Sequence, residues 1–165
     1  MNKRDDLYDW LAWAQSIYLV RKLDVYSRSV KSEISLPGKY YVVDNGLRSA
    51  VIPLQSDDDG KQLENTVYLE LLRRKGHNEE LSYFNESGEC DFVVSEGDAV
   101  RRLIQVTWDM SDAETRKREF SGLLGAAKAT GCRDLTIVTR DEDGEETHDG
   151  LIVRIVPVCR FLLTK

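Results

Sequence analysis

Glu89-Cys-Asp-Phe-Val-Val-Ser-Glu-Gly-Asp-Ala-Val-Arg-Arg-Leu-Ile-Gln-Val-Thr-Trp108 is the stretch whose reading decides the fold. Two apolar runs, Phe92–Val94 and Leu103–Val106, flank a Gly97–Asp98 turn, which predicts a β-hairpin. The polar residues inside the arms carry the functional information. Side chains alternate along a strand, so Gln105 and Thr107 share one face, with Ile104, Val106 and Trp108 on the other. If Asp91 lies across the hairpin from Gln105, a carboxylate, an amide and a hydroxyl gather on one patch of sheet. Such oxygen groups suit a hard divalent cation such as Mg²⁺. The plainer alternative is a strand pair with one solvated face.

Outward from the hairpin, the elements alternate. Residues 61–75 read as a helix ending at Gly76, with Leu63, Val67, Leu71 and Leu72 on its apolar side. Glu64 lies along that stripe, whereas Glu70, Arg73 and Arg74 are expected to point outward. A carboxylate on the stripe either reaches water at its edge or is buried with a partner that sets its pKa. Residues 80–86 predict a strand, followed by a turn at Ser87–Gly88. After Trp108, a helix capped by Ser111 or Asp112 runs to about Thr130 and stops at Gly131. Its early turns carry Arg116, Lys117 and Arg118, a dense basic cluster. A buried strand at 134–140, an acidic turn at 141–146 and a last strand at 151–156 complete the chain.

Upstream, residues 5–16 predict an amphipathic helix capped by Asp5 or Asp6, with Trp10 and Trp13 as packing residues. Extended segments follow near Ile17–Tyr26 and Tyr40–Val43. Asp44 is placed to cap a brief helix, Asn45–Ile52, closed by Pro53. The acidic run at 55–60 lacks the spacing of a calcium loop and reads as solvated.

With 165 residues, 32% of them charged, the chain has the length and composition of one globular domain. A net charge of −6 argues against nucleic-acid binding by bulk electrostatics and leaves room for a local basic patch. Three widely spaced cysteines match neither a disulfide framework nor a zinc pattern. There is no apolar leader and no run of about 18 apolar residues, so a cytoplasmic protein without a membrane span is expected. Cys90 and Cys132 are expected to be buried, and His77 and His148 to be solvated in turns.

From residue 61 the order is helix, three strands, helix, strand. With Glu64 on the first helix, Asp91 on the second strand and Gln105 and Thr107 on the third, it resembles the PD-(D/E)XK nuclease-like fold. Tyr40-Tyr-Val-Val-Asp44-Asn-Gly-Leu47, Gln62-Leu-Glu64-Asn, Glu89-Cys-Asp91-Phe and Leu103-Ile-Gln-Val-Thr-Trp108 also resemble a domain of unknown function. That domain follows the ATPase module in bacterial and archaeal AAA+-type ATPases. The resemblance implies an α/β (α+β) fold. Its restriction-endonuclease-like αβββαβ core, a mixed sheet flanked by helices, spans residues 54–165. An N-terminal helix and strand extension, 1–53, packs on that core.

The resemblance further implies a Mg²⁺ (or Mn²⁺) site at Glu64, Asp91 and Gln105; Glu89, two residues before Asp91 and on the same face, is an added candidate ligand, and Lys117 on the following helix a candidate migrated catalytic cation. Gln105 and Thr107 stand where the family has an acid and a lysine. Two readings follow: a degenerate Mg²⁺-dependent nuclease acting on DNA or RNA, or an inactive nucleic-acid-binding or docking module for an AAA+ ATPase. A third, a plain oligomerisation domain, rests on the apolar N-terminal helix. The sequence has no Gly-x-x-x-x-Gly-Lys-Ser/Thr loop and hence no Walker-type nucleotide site of its own. A stand-alone relative and a fragment of a longer ATPase are both open, with Met1 favouring the former.

Overall fold

A computed structural model describes residues 3–27, 38–51, 58–86 and 88–164. Eight strands and five helices occur among them. They are α1 (Lys3–Ser16), β1 (Val20–Leu23), β2 (Lys39–Val42), α2 (Asn45–Val51), α3 (Asp58–Arg74), β3 (Glu79–Asn85), β4 (Glu89–Glu96), β5 (Ala99–Val106), α4 (Ala113–Thr130), β6 (Leu135–Thr139), β7 (Gly144–His148), β8 (Leu151–Pro157) and α5 (Val158–Leu163). The expected order of helix, three strands, helix and strand therefore runs from α3 to β6. The polar stretch 28–37, the start of the acidic loop, the Pro53 helix stop and Ser87 of the expected turn lie outside the described residues.

The main sheet has the order β3-β4-β5-β6-β8-β7. The β3–β4–β5 meander is antiparallel, β5, β6 and β8 run parallel, and β7 closes the sheet antiparallel to β8. Two apolar layers cover its faces. Phe120, Leu123, Ala126 and Ala127 of α4 pack on Leu103, Leu135, Ile137 and Val153. Val67, Tyr68 and Leu71 of α3 pack with Phe92, Val94, Ile104 and Val138 on the other face. Leu23 and Tyr41 of the small β1–β2 sheet join that second layer, as does Val25, which bridges to Tyr83 of β3. Parallel strands buried on both faces explain why β6 reads as a continuous apolar run.

Helix α4 obeys its local signals: the Asp112 side chain accepts from Thr115 N, and Gly131 ends it with φ of 77°. Asp44 accepts from Leu47 N at 3.0 Å and caps α2.

Several expectations are corrected. Helix α1 begins at Lys3, before the predicted Asp5 or Asp6 cap. Trp10 and Trp13 are exposed, and their rings meet edge to face at 5.8 Å rather than entering the core. Glu70 is buried, not outward, because Arg73 and Arg74 clamp its carboxylate while Arg74 reaches the Phe161 carbonyl of α5. The acidic turn at 141–146 is partly strand β7, and His148 at its end lies against Phe120 at 4.5 Å rather than in open solvent. Among the described residues no helix is long and apolar enough to cross a membrane.

Candidate functional site

The candidate site forms where α3, β2, β4 and β5 meet, and the hairpin fixes its floor. Between Ser82 and Phe84, β3 advances two residues while β4 advances three, from Val93 to Cys90. One extra residue therefore bulges out of β4 at Asp91–Phe92. Bulges re-aim side chains, and this one turns Asp91 away from the regular alternation. Nearby, α4 presses on the start of β4. A Cβ on Gly122 would collide with the Glu89 carbonyl oxygen, and Gly88, at φ 144°, lies against Gly122 as well. Only glycine permits that approach.

Lys39, at the start of β2, projects into the space so framed. Its Nζ donates to Asp91 Oδ1 at 2.8 Å and to Glu64 Oε1 at 3.4 Å, and pairs with Glu89 Oε1 at 3.0 Å. Tyr41, two residues on and so on the same face, donates its hydroxyl to Glu64 Oε1 at 2.6 Å. Asn45 and Asn65 lock β2 and α2 to α3: Asn65 donates to the Val42 carbonyl and to Asn45 Oδ1, and Asn45 to Thr66 Oγ1. Sheet β1–β2 is thus pinned where Lys39 can reach the cluster.

Asp91 is almost wholly buried, and its second oxygen accepts from Val106 N at 3.0 Å. Burial pushes its carboxyl up to about 6; Lys39 opposes that shift and the Glu64 charge adds to it. Burial alone would lower the Lys39 pKa, but the Asp91 and Glu64 carboxylates outweigh it, so Lys39 stays an ammonium ion with its pKa raised. Burial and then the Glu64 charge raise the Tyr41 phenol well above its usual range, which keeps it a proton donor.

Gln105 is buried behind this cluster. Its carbonyl accepts from Asp91 N at 3.2 Å, and its amide donates to Glu119 Oε2 at 2.7 Å. The Glu119 carboxylate, equally buried, also receives Arg118.

Glu64, Asp91 and Glu89 therefore converge, but on Lys39 Nζ. Gln105 is engaged at both ends of its amide, its oxygen by Asp91 N and its nitrogen by Glu119. Lys117 is also corrected. It is exposed and is not among the residues bordering the carboxylate cluster, because it precedes the inward Glu119 by two residues, about 200° around the helix. The cations at the site are Lys39 and Arg118. Lys39 was legible only as a lysine two residues before a buried tyrosine on a strand, a weak signal at an element boundary.

Two hollows meet here. One, of about 490 Å³, is bordered by Glu64, Glu89, Asp91, Glu119, Lys39 and Arg118. The other, of about 330 Å³, shares Lys39 and Glu64 and adds Tyr40, Arg48 and Lys61. Thr107 lies beyond, with Trp108, in a third depression along the same rim.

A hard divalent cation fits the donor chemistry and the charge: three carboxylates face one ammonium. The placement does not fit. Among the described residues no three acidic, histidine or cysteine side chains stand grouped to hold a metal, because the ammonium takes the shared position.

No family model matches the chain. An uncharacterized protein of Haemophilus influenzae is 30% identical over 103 residues, 62% of this chain and 25% of that protein. The uncharacterized protein MJ1544 of Methanocaldococcus jannaschii is 32% identical over 170 residues, 98% of this chain and 37% of its own length. The chain thus spans only 25% and 37% of the length of these curated relatives. Among solved structures, a half-complex of Thermococcus gammatolerans McrB AAA+ hexamers with bound McrC aligns at a TM-score of 0.42 and 14% identity. It covers 60% of this chain and 28% of that one, a likeness too slight to carry an argument.

Proposed function

We propose that this domain carries a nuclease-like site of the PD-(D/E)XK type, acting on phosphodiesters of DNA or RNA, with Lys39 as its lysine. The observation that supports the reading is the meeting of Glu64, Asp91 and Glu89 on Lys39 Nζ, all within 3.4 Å. Lys39 enters from β2 rather than from the third strand, where Thr107 stands.

Each side chain has a chemical part. Lys39, held as ammonium, cannot act as general base; it orients a water or stabilises charge growing on a phosphate oxygen. Tyr41 fixes the Glu64 rotamer, and Val106 N fixes that of Asp91. Gln105 ties the β4 backbone to Glu119 and so keeps Asp91 in place. Mg²⁺, the ion the family resemblance implies, could lend positive charge to the phosphate only after displacing Lys39 from the position it occupies. Glu64, Asp91 and Glu89 are the oxygens available to it, in competition with Lys39.

The test is nicking of supercoiled plasmid with Mg²⁺ or Mn²⁺. Wild type should nick, and Glu64→Ala and Asp91→Asn should each lose about 10²-fold or more. No product from plasmid, single-stranded DNA or RNA under either ion would rule hydrolysis out. A second reading, an inactive nucleic-acid-binding or docking module, is favoured by one feature: Gln105 stands where the family has an acid, and its neutral amide bonds internally to Asp91 N and Glu119. Under either reading the partner is an AAA+ ATPase module. That part of the proposal rests on the family resemblance, and the greater length of the relatives leaves room for such a module.

A further inference from the structure

A lysine ammonium has three N–H donors, and at Lys39 three carboxylate oxygens surround it: Asp91 Oδ1 at 2.8 Å, Glu89 Oε1 at 3.0 Å and Glu64 Oε1 at 3.4 Å. Acceptors and donors match in number. Nζ also stands 5.6 Å from the centre of the Tyr83 ring, and Tyr83 is buried. A ring face attracts an ammonium, whereas Mg²⁺ takes oxygen ligands in an octahedron and gains none from it. The surroundings of Nζ are therefore those of an ammonium. The arm that carries it is fixed at its base. Lys39 pairs with Leu23 in the β1–β2 ladder, and Gly38 just before it has no room for a Cβ against the Lys22 side chain and the Leu23 carbonyl. Two of the acids are also held without the lysine, Asp91 by Val106 N and Glu64 by the Tyr41 hydroxyl. Taking Nζ away would leave these oxygens aligned around one vacated position.

We infer that Lys39 is the resident cation of this site, standing where a divalent ion would stand, so that the cluster is complete and stable without metal. The inference goes beyond the nuclease-like reading and holds whether or not the site hydrolyses anything. It makes two demands. The wild-type chain gains nothing from a divalent ion, and a chain without the ammonium acquires an ion site that it did not have.

The experiment follows urea denaturation of the whole chain in EDTA and in millimolar Mn²⁺, with bound Mn²⁺ counted by electron paramagnetic resonance. The wild-type midpoint should be the same in both. Lys39→Met should bind one Mn²⁺ about ten-fold or more tightly than wild type, because a like charge has left the position. Mn²⁺ at about 100 times its Kd should then raise the folding equilibrium constant of Lys39→Met about 100-fold. Adding Glu64→Gln to Lys39→Met should remove most of that rescue, which locates the ion in the cluster. A Lys39→Met chain that is unfolded in EDTA and folds on addition of Mn²⁺ counts as rescue. Wild type that binds Mn²⁺ as tightly as Lys39→Met, or a Lys39→Met that Mn²⁺ neither binds nor stabilises, would overturn the inference. Rescue of Lys39→Met with no nicking by wild type upholds the resident cation and removes hydrolysis. Nicking by wild type that stops in EDTA, with Mn²⁺ bound to wild type, upholds hydrolysis and removes the resident cation.

Discussion

The two hollows that share Glu64 and Lys39 differ in depth as much as in charge. The carboxylate hollow is rooted in the core: Asp91, Gln105 and Glu119 are all buried, and each finds its partner on another element. The hollow on the other side of Lys39 is a surface feature, with Lys61 and Tyr40 exposed. Buried charge is costly unless paired, and surface charge is nearly free. One region is therefore bound up with the stability of the fold, and the other is free to serve a ligand alone.

The largest effect should come from breaking the element the two regions share. Lys39→Met strands Glu64, Glu89 and Asp91 together without their cation. Removing one partner of a buried pair costs about 3–5 kcal/mol. Lys39 is about a quarter exposed and Glu89 mostly so, which places the expected loss near the lower end, about 3 kcal/mol by urea denaturation. The same variant should bind Mg²⁺ more tightly in calorimetry, since its competitor is gone. A fully stable Lys39→Met with unchanged ion affinity would show that the ammonium does not hold the site together.

Gly122→Ala tests the footing of the deep region. Its Cβ would press on the Glu89 carbonyl, a backbone atom that cannot turn aside. The expected cost is about 1–3 kcal/mol, with Glu89 displaced relative to Lys39. A neutral Gly122→Ala would mean that α4 and β4 tolerate separation.

The pH dependence sharpens the contrast further. The folded Asp91 carboxyl has its pKa raised to about 6, above the ordinary carboxylate value, so the folded chain holds this proton more tightly than the unfolded chain. Its contribution to stability is complete below about pH 4 and is lost as the pH rises through about 6. Asp91→Asn, which imitates the protonated form, should lack that decline. The difference between the two proteins should reach about 2 kcal/mol between pH 4 and pH 7, measured by denaturation in EDTA. A wild-type curve parallel to that of Asp91→Asn would place the Asp91 pKa at its ordinary value.

How far these regions were legible in sequence follows from the same division. The sheet and helices were readable because apolar periodicity, the Gly97–Asp98 turn, the Asp112 cap and the Gly131 stop are local signals. Glu64, Asp91 and Glu89 could be singled out as acids in apolar or strand surroundings. Lys39 could not, because it belongs to the site through a contact 52 residues away in sequence, with Asp91. The bulge at Asp91 was equally hidden: it consists in the register between β3 and β4, which no single strand displays. Lys117 looked plausible because the basic run at 116–118 is dense, but composition does not say which face of a helix meets the sheet. Glu70 was misread for the converse reason. Its partners Arg73 and Arg74 seemed to mark a solvated face, when they were the means of burying it.

The smallest effect on the fold is expected at Lys61, and that is why it is informative. An exposed lysine without an ion pair among the described residues should be replaceable by alanine within about 0.5 kcal/mol of wild-type stability. If Lys61 contacts a phosphate, the same substitution should lower oligonucleotide affinity at every sequence alike and flatten the salt dependence. Stability unchanged and affinity reduced would assign the shallow hollow to ligand rather than to fold. A Lys61→Ala protein that loses stability by as much as Lys39→Met would erase the distinction, because the cations on both sides of Glu64 would then belong to one structural network.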